Sequence, residues 1–514
     1  MKPIRLMAGF FTVGVWTLAS RILGFVRDAM ILALLGTGPL YEAYVVAFRL
    51  PNMFRRFFAE GAFNMAFVPM FSKRFETEEH PKAFAEDALS GLASVLILLT
   101  LLAQIAMPWL IFAMASGFSG QAQFQLSVEF GRIAFPYILF ISLAALFSGI
   151  LNATGRFAAA AAAPVLLNVV LVSAMAAAHW LGGDIARTLI WAIPVAGVAQ
   201  LVLVWQASAK AGFPLRPRRP RWTPELARLV RIAIPAALAG GVVQVNLLVG
   251  QQVASYFDRA VGWLYAADRL YQLPLGVVGI AIGVVLLPDL SRRLAAQDDD
   301  GARHAFSRAG EVSLALTIPS AVALMVIPLP LVAVLFQRGE TTATDSAAIA
   351  QAVAIYGLGL PAFVLQKILQ PLFFAREDTR TPFNYALVAM VLNAVAAIGL
   401  SPVFGWLAPA IATTAAGWAM VLLLMRGGRQ FGDVARFDAR FRTRIWRICL
   451  AAAVMGGALW AAARALEPAL NTGGLRYLAL AGLVGLGIVV YFATAQVIGA
   501  VKLAEFGRAL RRKG

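Results

Sequence analysis

The stretch MAGFFTVGVWTLASRILGFVRDAMILALLG, residues 7–36, decides the class of this chain. At about 1.5 Å per helical residue it is long enough to cross a hydrocarbon layer about 30 Å thick. Yet it carries Arg21 near its middle, with Arg27 and Asp28 a turn and a half further on. Apolar runs of similar length recur to the end of the chain. Of 514 residues, 60% are hydrophobic and only 14% charged, whereas soluble domains have about 45–50% and about 25%; the mean hydropathy is +0.77. Backbone groups in lipid must bond within their own segment or in a closed barrel, and these runs far exceed the roughly ten-residue alternating strands of a barrel. The expectation is an all-α polytopic membrane protein with about fourteen transmembrane helices, among them 7–33, 41–71, 126–150, 310–336 and 475–499. The first is too long, and too charged in mid-span, to read as a cleaved leader.

The net charge of +18 follows the loops. Lys and Arg gather at Lys73, Arg74 and Lys82, from Lys210 to Arg231 through PLRPRRPRW (214–222), from Arg292 to Arg308, and from Arg426 to Arg447. The alternate connections, GTGPLYE, SGFSGQAQ, GGD and SPVFGWL, are nearly bare. Excess Lys and Arg marks the cytoplasmic side, which places both termini there. Spread over many short loops, the charge does not suit nucleic acid. Cys449 is alone and the three His match no metal-ligand spacing. No phosphate-cradling GxxxxGK[ST] loop is present, which argues against ATP as the driver, and no cofactor is expected.

An internal echo organises the chain. AFRL (47–50) leads to VPMFSKRF (68–75), and ADRL (267–270) leads to LPDLSRRL (287–294). Arg49 maps to Arg269 at an offset of 220, and Pro69, Ser72 and Arg74 map to Pro288, Ser291 and Arg293 at 219. Six intervening spans give both copies one orientation. The expected organisation is two pseudo-symmetric six-helix lobes, 1–210 and 222–427, followed by a C-terminal helix pair with a basic tail, 441–514. Parallel repeats of this kind recur in secondary transporters, with the substrate site between the halves.

Charges then stand where a bilayer would reject them. At 100° per residue Arg21, Gly24 and Asp28 share a helix face, with Arg27 about 100° to one side. In FRLPNMFRRFFAEGAF (48–63) Arg49, Asn52, Arg56 and Glu60 share a face, next to Arg55. Asp268 and Arg269 follow in the eighth span, with Gln272 one turn away. Each Arg or Asp costs about 2.5–3.5 kcal/mol at a helix centre, so three central arginines facing lipid would cost roughly 8–10 kcal/mol. They are expected to line a water-filled interior. For Arg55 and Arg56 snorkelling is the bland alternative, and for Arg27 with Asp28 a structural ion pair. The counterpart of the first span, RIAIPAALAGGVVQVNLLVGQQVASYF (231–257), has no charge beyond its first residue, so the arginines are not a requirement of the repeat. An uneven cationic cavity suits an anionic ligand, since guanidinium forks bind phosphate and carboxylate bidentately.

SRILGFVRDAMILALLG, AFRLPNMFRRFFAEGAFNMAFVP, FPYILFISLAALFSGILNATGRF, YAADRLYQLPLGVVGIAIGVVLLP and FFAREDTRTP together resemble the lipid II flippase family called MurJ or MviN, along the whole chain. The family is part of the multidrug/oligosaccharidyl-lipid/polysaccharide exporter superfamily. The resemblance implies two six-helix lobes around a cationic cavity, a C-terminal pair forming a hydrophobic groove, and alternating access from an inward-open resting state. It implies a substrate, undecaprenyl-pyrophosphate bearing a disaccharide-pentapeptide, moved from inner to outer leaflet for peptidoglycan synthesis. It assigns Arg21, Arg27 and Arg269 to key cavity positions and Asp28, Asn52, Arg55, Glu60 and Asp268 to further sensitive ones. Glu42, Arg49, Arg56 and Gln272 are supporting candidates. Three positions depart from the pattern: Glu42 stands where Asp is frequent, Gln272 where some members have Glu, and Gly262 where some have a small polar residue. The sodium site of some members does not carry over to this sequence; Asn393 and Thr413 or Thr414 are candidates and no more. Coupling to membrane potential or an ion gradient, contact with membrane lipid and association with cell-wall synthesis machinery are further expectations. The rival readings are another exporter of the superfamily, for O-antigen-type lipid oligosaccharides or for cationic drugs, and a membrane-embedded glycosyl- or phosphotransferase. The drug antiporter calls for acidic cavity residues. The transferase calls for a carboxylate or His constellation, and the sequence holds only isolated acids beside arginines, so no enzymatic activity is expected.

Overall fold

The computed structural model describes residues 6–55 and 63–501, with side chains at 6–11, 63–65, 234–247, 277–285, 287 and 288 left aside. The described residues form helices without strands, as two compact units. Residues 1–262 and 338–341 belong to the first unit, residues 263–337 and 342–514 to the second.

The first unit holds α1 (Leu6–Leu35), α2 (Pro39–Arg55), α3 (Phe63–Glu76), α4 (Pro81–Met114), α5 (Ala122–Ala134), α6 (Tyr137–Ala153), α7 (Phe157–Leu181), α8 (Ile185–Lys210) and α9 (Pro224–Ala254), with the start of α10 (Ala260–Ala295). The second holds the rest of α10, then α11 (Asp299–Val326), α12 (Pro328–Phe336), α13 (Ala343–Phe374), α14 (Arg380–Phe404), α15 (Ala408–Gly428), α16 (Ala439–Ala465), the short α17 (Glu467–Leu470) and α18 (Leu475–Val497). Among the described residues, nine helical stretches are long and apolar enough to cross a membrane. Two expected spans are each built from two helices. Span 126–150 breaks at Phe135–Pro136 between α5 and α6. Span 310–336 breaks at Ile327, whose φ of −122° and ψ of 42° precede Pro328. In both, proline has no N–H to donate. Before Pro328 it also disfavours the helical region, whereas Phe135 before Pro136 keeps helical angles (φ −60°, ψ −37°), so the missing donor alone marks the first break. Pro51, Pro164, Pro194, Pro319 and Pro361 are instead accommodated inside continuous helices.

The sequence echo has a structural counterpart in the way helices end. After α3, Glu79 N–H reaches back to Arg74 O at 3.1 Å across left-handed Glu78 (φ 56°). After α10, Asp298 N–H reaches Arg293 O at 2.9 Å across Gln297 (φ 55°), the same 219-residue offset. A second pair closes α6 through Gly155 (φ 74°) and α13 through Glu377 (φ 61°). This closure satisfies carbonyls that have no partner inside the helix, and a non-glycine residue there costs roughly 1–2 kcal/mol.

The C-terminal pair is part of the second unit. Ile448, Ala451, Ala452, Met455 and Leu459 of α16 share a buried cluster with Leu483 and Tyr491 of α18 and Ala315 of α11. A Cβ on Gly456 would come within 2.8 Å of Val322, so the small residue sets the α11–α16 approach. At the basic end, Glu311 (6% exposed) is gripped by Arg308, Arg444 and, at 3.4 Å, Arg440. Asp438 caps α16 by accepting from Phe441 N–H at 2.7 Å and pairs with Arg308. Burial pushes the Asp438 carboxyl up, but the Phe441 N–H and the Arg308 guanidinium outweigh it and hold it below the ordinary carboxylate range.

Removing one partner of such a buried set leaves an uncompensated charge, at about 3–5 kcal/mol. Glu311→Ala is therefore expected to lower the unfolding temperature in detergent sharply, while Glu311→Gln has a smaller effect. Because the Asp438 value is depressed on folding, its contribution is complete above the unfolded carboxylate value of about 4 and fades as pH falls through the folded one. Thermal scans between pH 6 and pH 3 should lose stability on acidification, and Asp438→Asn should flatten that slope.

Candidate functional site

The charges in α1 are held by a neighbouring helix. Arg27 and Asp28 are each 8% exposed. The Arg27 guanidinium donates to Asp28 Oδ1 through Nε at 2.9 Å and Nη2 at 2.7 Å, and through Nη1 to Asn168 Oδ1 at 2.9 Å. Asn168, buried on α7, donates its own NH₂ to Ser20 O at 2.9 Å. A Cβ at Gly24 would lie 3.6 Å from Asn168 Nδ2, ordinary van der Waals contact, so Asn168 lies against this face of α1. The ion pair of Arg27 with Asp28, the bland alternative to a cavity-lining arginine, is thus present, with an amide as third member. Two guanidinium nitrogens carry a carboxylate bond and one an amide bond, which fixes the group's orientation. Arg21, one and a half turns earlier, is exposed.

On α2, Asn52 turns to its own helix, donating to Phe48 O at 3.0 Å. Arg49 and Arg55 are half-buried and engaged by neighbouring groups. Arg56 and Glu60 lie outside the described residues. Glu42, expected only as a supporting residue, is fully buried. Its carboxylate accepts from the backbone N–H groups of Val261 (3.1 Å) and Gly262 (3.4 Å) and from Gln123 Nε2 (3.3 Å). It therefore caps the first turn of α10, where donors have no partner within the helix and the dipole favours an anion. Gly262 makes this contact with its backbone, and a Cβ there would already lie 3.0 Å from Thr37 O and the Tyr41 ring.

In the second unit, Gln272 donates to Asp268 one turn away on α10. The Arg269 guanidinium sits 4.3 Å from the centroid of the Tyr265 ring, a cation–π contact on its own helix. Asn393 on α14 and Thr414 on α15 are buried, and Thr414 Oγ1 donates to Ile355 O at 3.1 Å; Thr413 is half-buried. Among the described residues no three His, Cys, Asp or Glu side chains group as metal ligands. Two polar residues of the counterpart span 231–257 have a local task. Gln252 pairs with Ser116, also accepting from its N–H at 3.0 Å, and Gln251 donates to Met114 O at 3.3 Å, so both serve the end of α4.

The model of the family described as "Lipid II flippase MurJ" matches residues 31–478. The chain belongs to the MurJ family. A probable lipid II flippase MurJ of Rhizobium meliloti (strain 1021) is 43% identical over 519 residues, covering 99% of this chain and 97% of the relative. The lipid II flippase MurJ of Burkholderia cenocepacia is 34% identical over 440 residues, 84% and 85% of the two chains. Among solved structures, a lipid II flippase MurJ in an inward closed conformation superposes with TM-score 0.79 at 23% identity, covering 95% of this chain and 98% of that one. An inward-facing multidrug resistance MATE family transporter reaches 0.68 at 14% identity, covering 82% and 96%. Both structural likenesses concern the fold.

Within this MurJ-family chain, sequence reasoning missed Asn168 and the capping task of Glu42. For Asn168 there was a signal: it and Ser173 are the polar residues in the interior of AAAAAAPVLLNVVLVSAMAAA (158–178). Replacing Asn168 by Leu strips Arg27 of one acceptor and Ser20 O of its donor; an unsatisfied buried group costs about 1–3 kcal/mol. The expected outcome is a lowered unfolding temperature together with a loss of transport larger than that of the volume-matched control Leu171→Asn on the same helix. Glu42→Ala leaves the α10 N–H groups unmet and is expected to destabilise by a similar amount, with Glu42→Gln intermediate, as read by thermal scans in detergent.

Proposed function

We infer that this protein is a flippase of the bacterial cytoplasmic membrane that carries lipid II from the inner to the outer leaflet, supplying peptidoglycan synthesis. The family match over residues 31–478 carries this reading. The chemistry supports it from below. A pyrophosphate head requires fixed positive groups, and Arg27 is one that the fold holds in place through Asp28 and Asn168. The isoprenoid tail requires only lipid or an apolar groove, so the energetic problem of flipping lies in the head.

The finer assignments belong to the same proposal. Arg21, Arg27 and Arg269 bind the pyrophosphate, with Asp28, Asn52, Arg55, Glu60 and Asp268 setting their orientation and charge. The six-helix lobes 1–210 and 222–427 rock about the bound head, with 441–514 as the tail-binding pair. The head, bearing arginine-bound phosphate, moves by alternating access driven by membrane potential or an ion gradient; moving one charge is worth about 2.3 kcal/mol per 100 mV. A sodium ion at Asn393 with Thr413 or Thr414 would be one such coupling device. Association with cell-wall synthesis machinery completes the proposal, and the chain turns over no bond. A cation antiporter, the second reading that the MATE-like fold invites, calls for an acidic cavity, and the α1 site is built around a guanidinium.

The test is complementation and transport with arginine variants. Arg21→Ala, Arg27→Ala and Arg269→Ala, each as sole copy, are expected to abolish growth while remaining in the membrane, and to cut lipid II movement in proteoliposomes at least tenfold. Lys at these positions should restore part of the activity, because charge returns without the fork. Normal growth of all three Ala variants would overturn the pyrophosphate assignment.

A further inference from the structure

Helix α1, which carries the guanidinium site, is held at its far end by residues distant in the chain. Its last carbonyls have no partner within the helix. Gly36 N–H meets Leu32 O at 2.9 Å in the local way. The other donors come from the loop between α12 and α13: Glu340 N–H donates to Ala33 O at 2.9 Å, and Thr341 Oγ1 donates to Leu32 O at 2.7 Å. Thr341 is only 3% exposed. The approach is backbone on backbone. Gly339 adopts φ +57°, and a Cβ there would lie 2.0 Å from Ala33 O; Gly36 adopts φ +65°, and a Cβ there would lie 2.8 Å from Glu340 O. Only glycine combines a left-handed conformation with so close an approach.

The division of the chain adds the second observation. Residues 338–341 pack as part of the first unit, although Gln337 before them and Thr342 after them belong to the second. Thr342 opens α13 with a capping box to Asp345, so the four residues are tethered directly to a rigid helix start. The contact with α1 includes two hydrogen bonds and a close glycine fit. Directed bonds make it specific in position, and each hydrogen bond is modest in net free energy because water bonds replace it on opening.

We propose that residues 338–341 are a clasp that positions the end of α1, with Thr341, Gly339 and Gly36 as its positioning residues, and that lifting this clasp off α1 is a required step of transport. This rests on the flippase reading above. It makes the α12–α13 loop, which bears no cavity charge, as necessary to the cycle as the arginines.

The test is a reversible cross-link. An ideal Cβ on Gly36 lies 3.2 Å from Glu340 Cβ, close to the roughly 3.5–4.5 Å of a disulfide. The chain's single cysteine, Cys449, is first replaced by Ala. In proteoliposomes with lipid II, Gly36→Cys/Glu340→Cys is expected to move substrate at least tenfold more slowly after oxidation than after reduction. Mass spectrometry would establish that the bond has formed. A fully cross-linked protein as fast as its reduced form would overturn the clasp. The Cβ placed at Gly36 strains a left-handed position, so where the pair does not fold, or its reduced form does not match the transport of the Cys449→Ala parent, Thr341→Val and Thr341→Ser decide. Labelling of Ala33→Cys by a membrane-impermeant maleimide should rise several-fold with Val, which cannot donate, and stay unchanged with Ser, which can. Equal labelling in both would overturn the proposal. This readout needs no substrate, whereas failure of the Cys449→Ala parent to move lipid II would strike the flippase reading instead.

Discussion

A guanidinium cannot shed its charge in hydrocarbon, and the packing of α1 on α7 is arranged around that fact. Arg27 gives up water and gains Asp28 beside it on α1 and Asn168 from α7. Three directed bonds replace a hydration shell. The same bonds lock α1 to α7, because Asn168 also holds Ser20 O and lies along Gly24. A residue that would be expelled from a bilayer on its own becomes the fastener between two of its helices. It does so without neutralising the site wholly, since Arg21 on the same helix is exposed.

Helix ends pose a second, related problem, because their unpaired backbone groups also need partners where water is scarce. The chain solves it with distant residues. Glu42 on α2 supplies an anion to the first N–H groups of α10, Gln251 and Gln252 serve the end of α4, and residues 338–341 serve the end of α1. Each is a set of directed polar bonds between residues far apart in the chain, which positions one helix end against another element. The second unit shows the contrast: α16 is welded to α11 by the Glu311 arginine cluster and by a continuous apolar core.

The membrane class, the repeat and the family were legible along the chain, because each is a matter of local pattern. Run length and apolar content report a hydrocarbon environment directly, and the 219-residue echo survived into matching left-handed closures after α3 and α10. The breaks at Phe135–Pro136 and Ile327–Pro328 were less legible, since other prolines, such as Pro51 and Pro319, sit inside unbroken helices. Whether a helix bends or ends at proline depends on what neighbouring groups offer the freed carbonyls.

By itself, then, the sequence determined that arginines stand inside the long apolar runs that form α1 and α10, a pattern that suits an anionic ligand. Hydropathy and charge are additive properties of residues, so they can be summed along a string. Only the tertiary structure decided which groups answer those charges and helix ends. Asn168 lies 141 residues from Arg27, Val261 lies 219 from Glu42, and Thr341 lies 309 from Leu32. A hydrogen bond is directional and works only within about 3 Å, so its partner is fixed by how helices pack in space, and no local pattern in the chain encodes that distance.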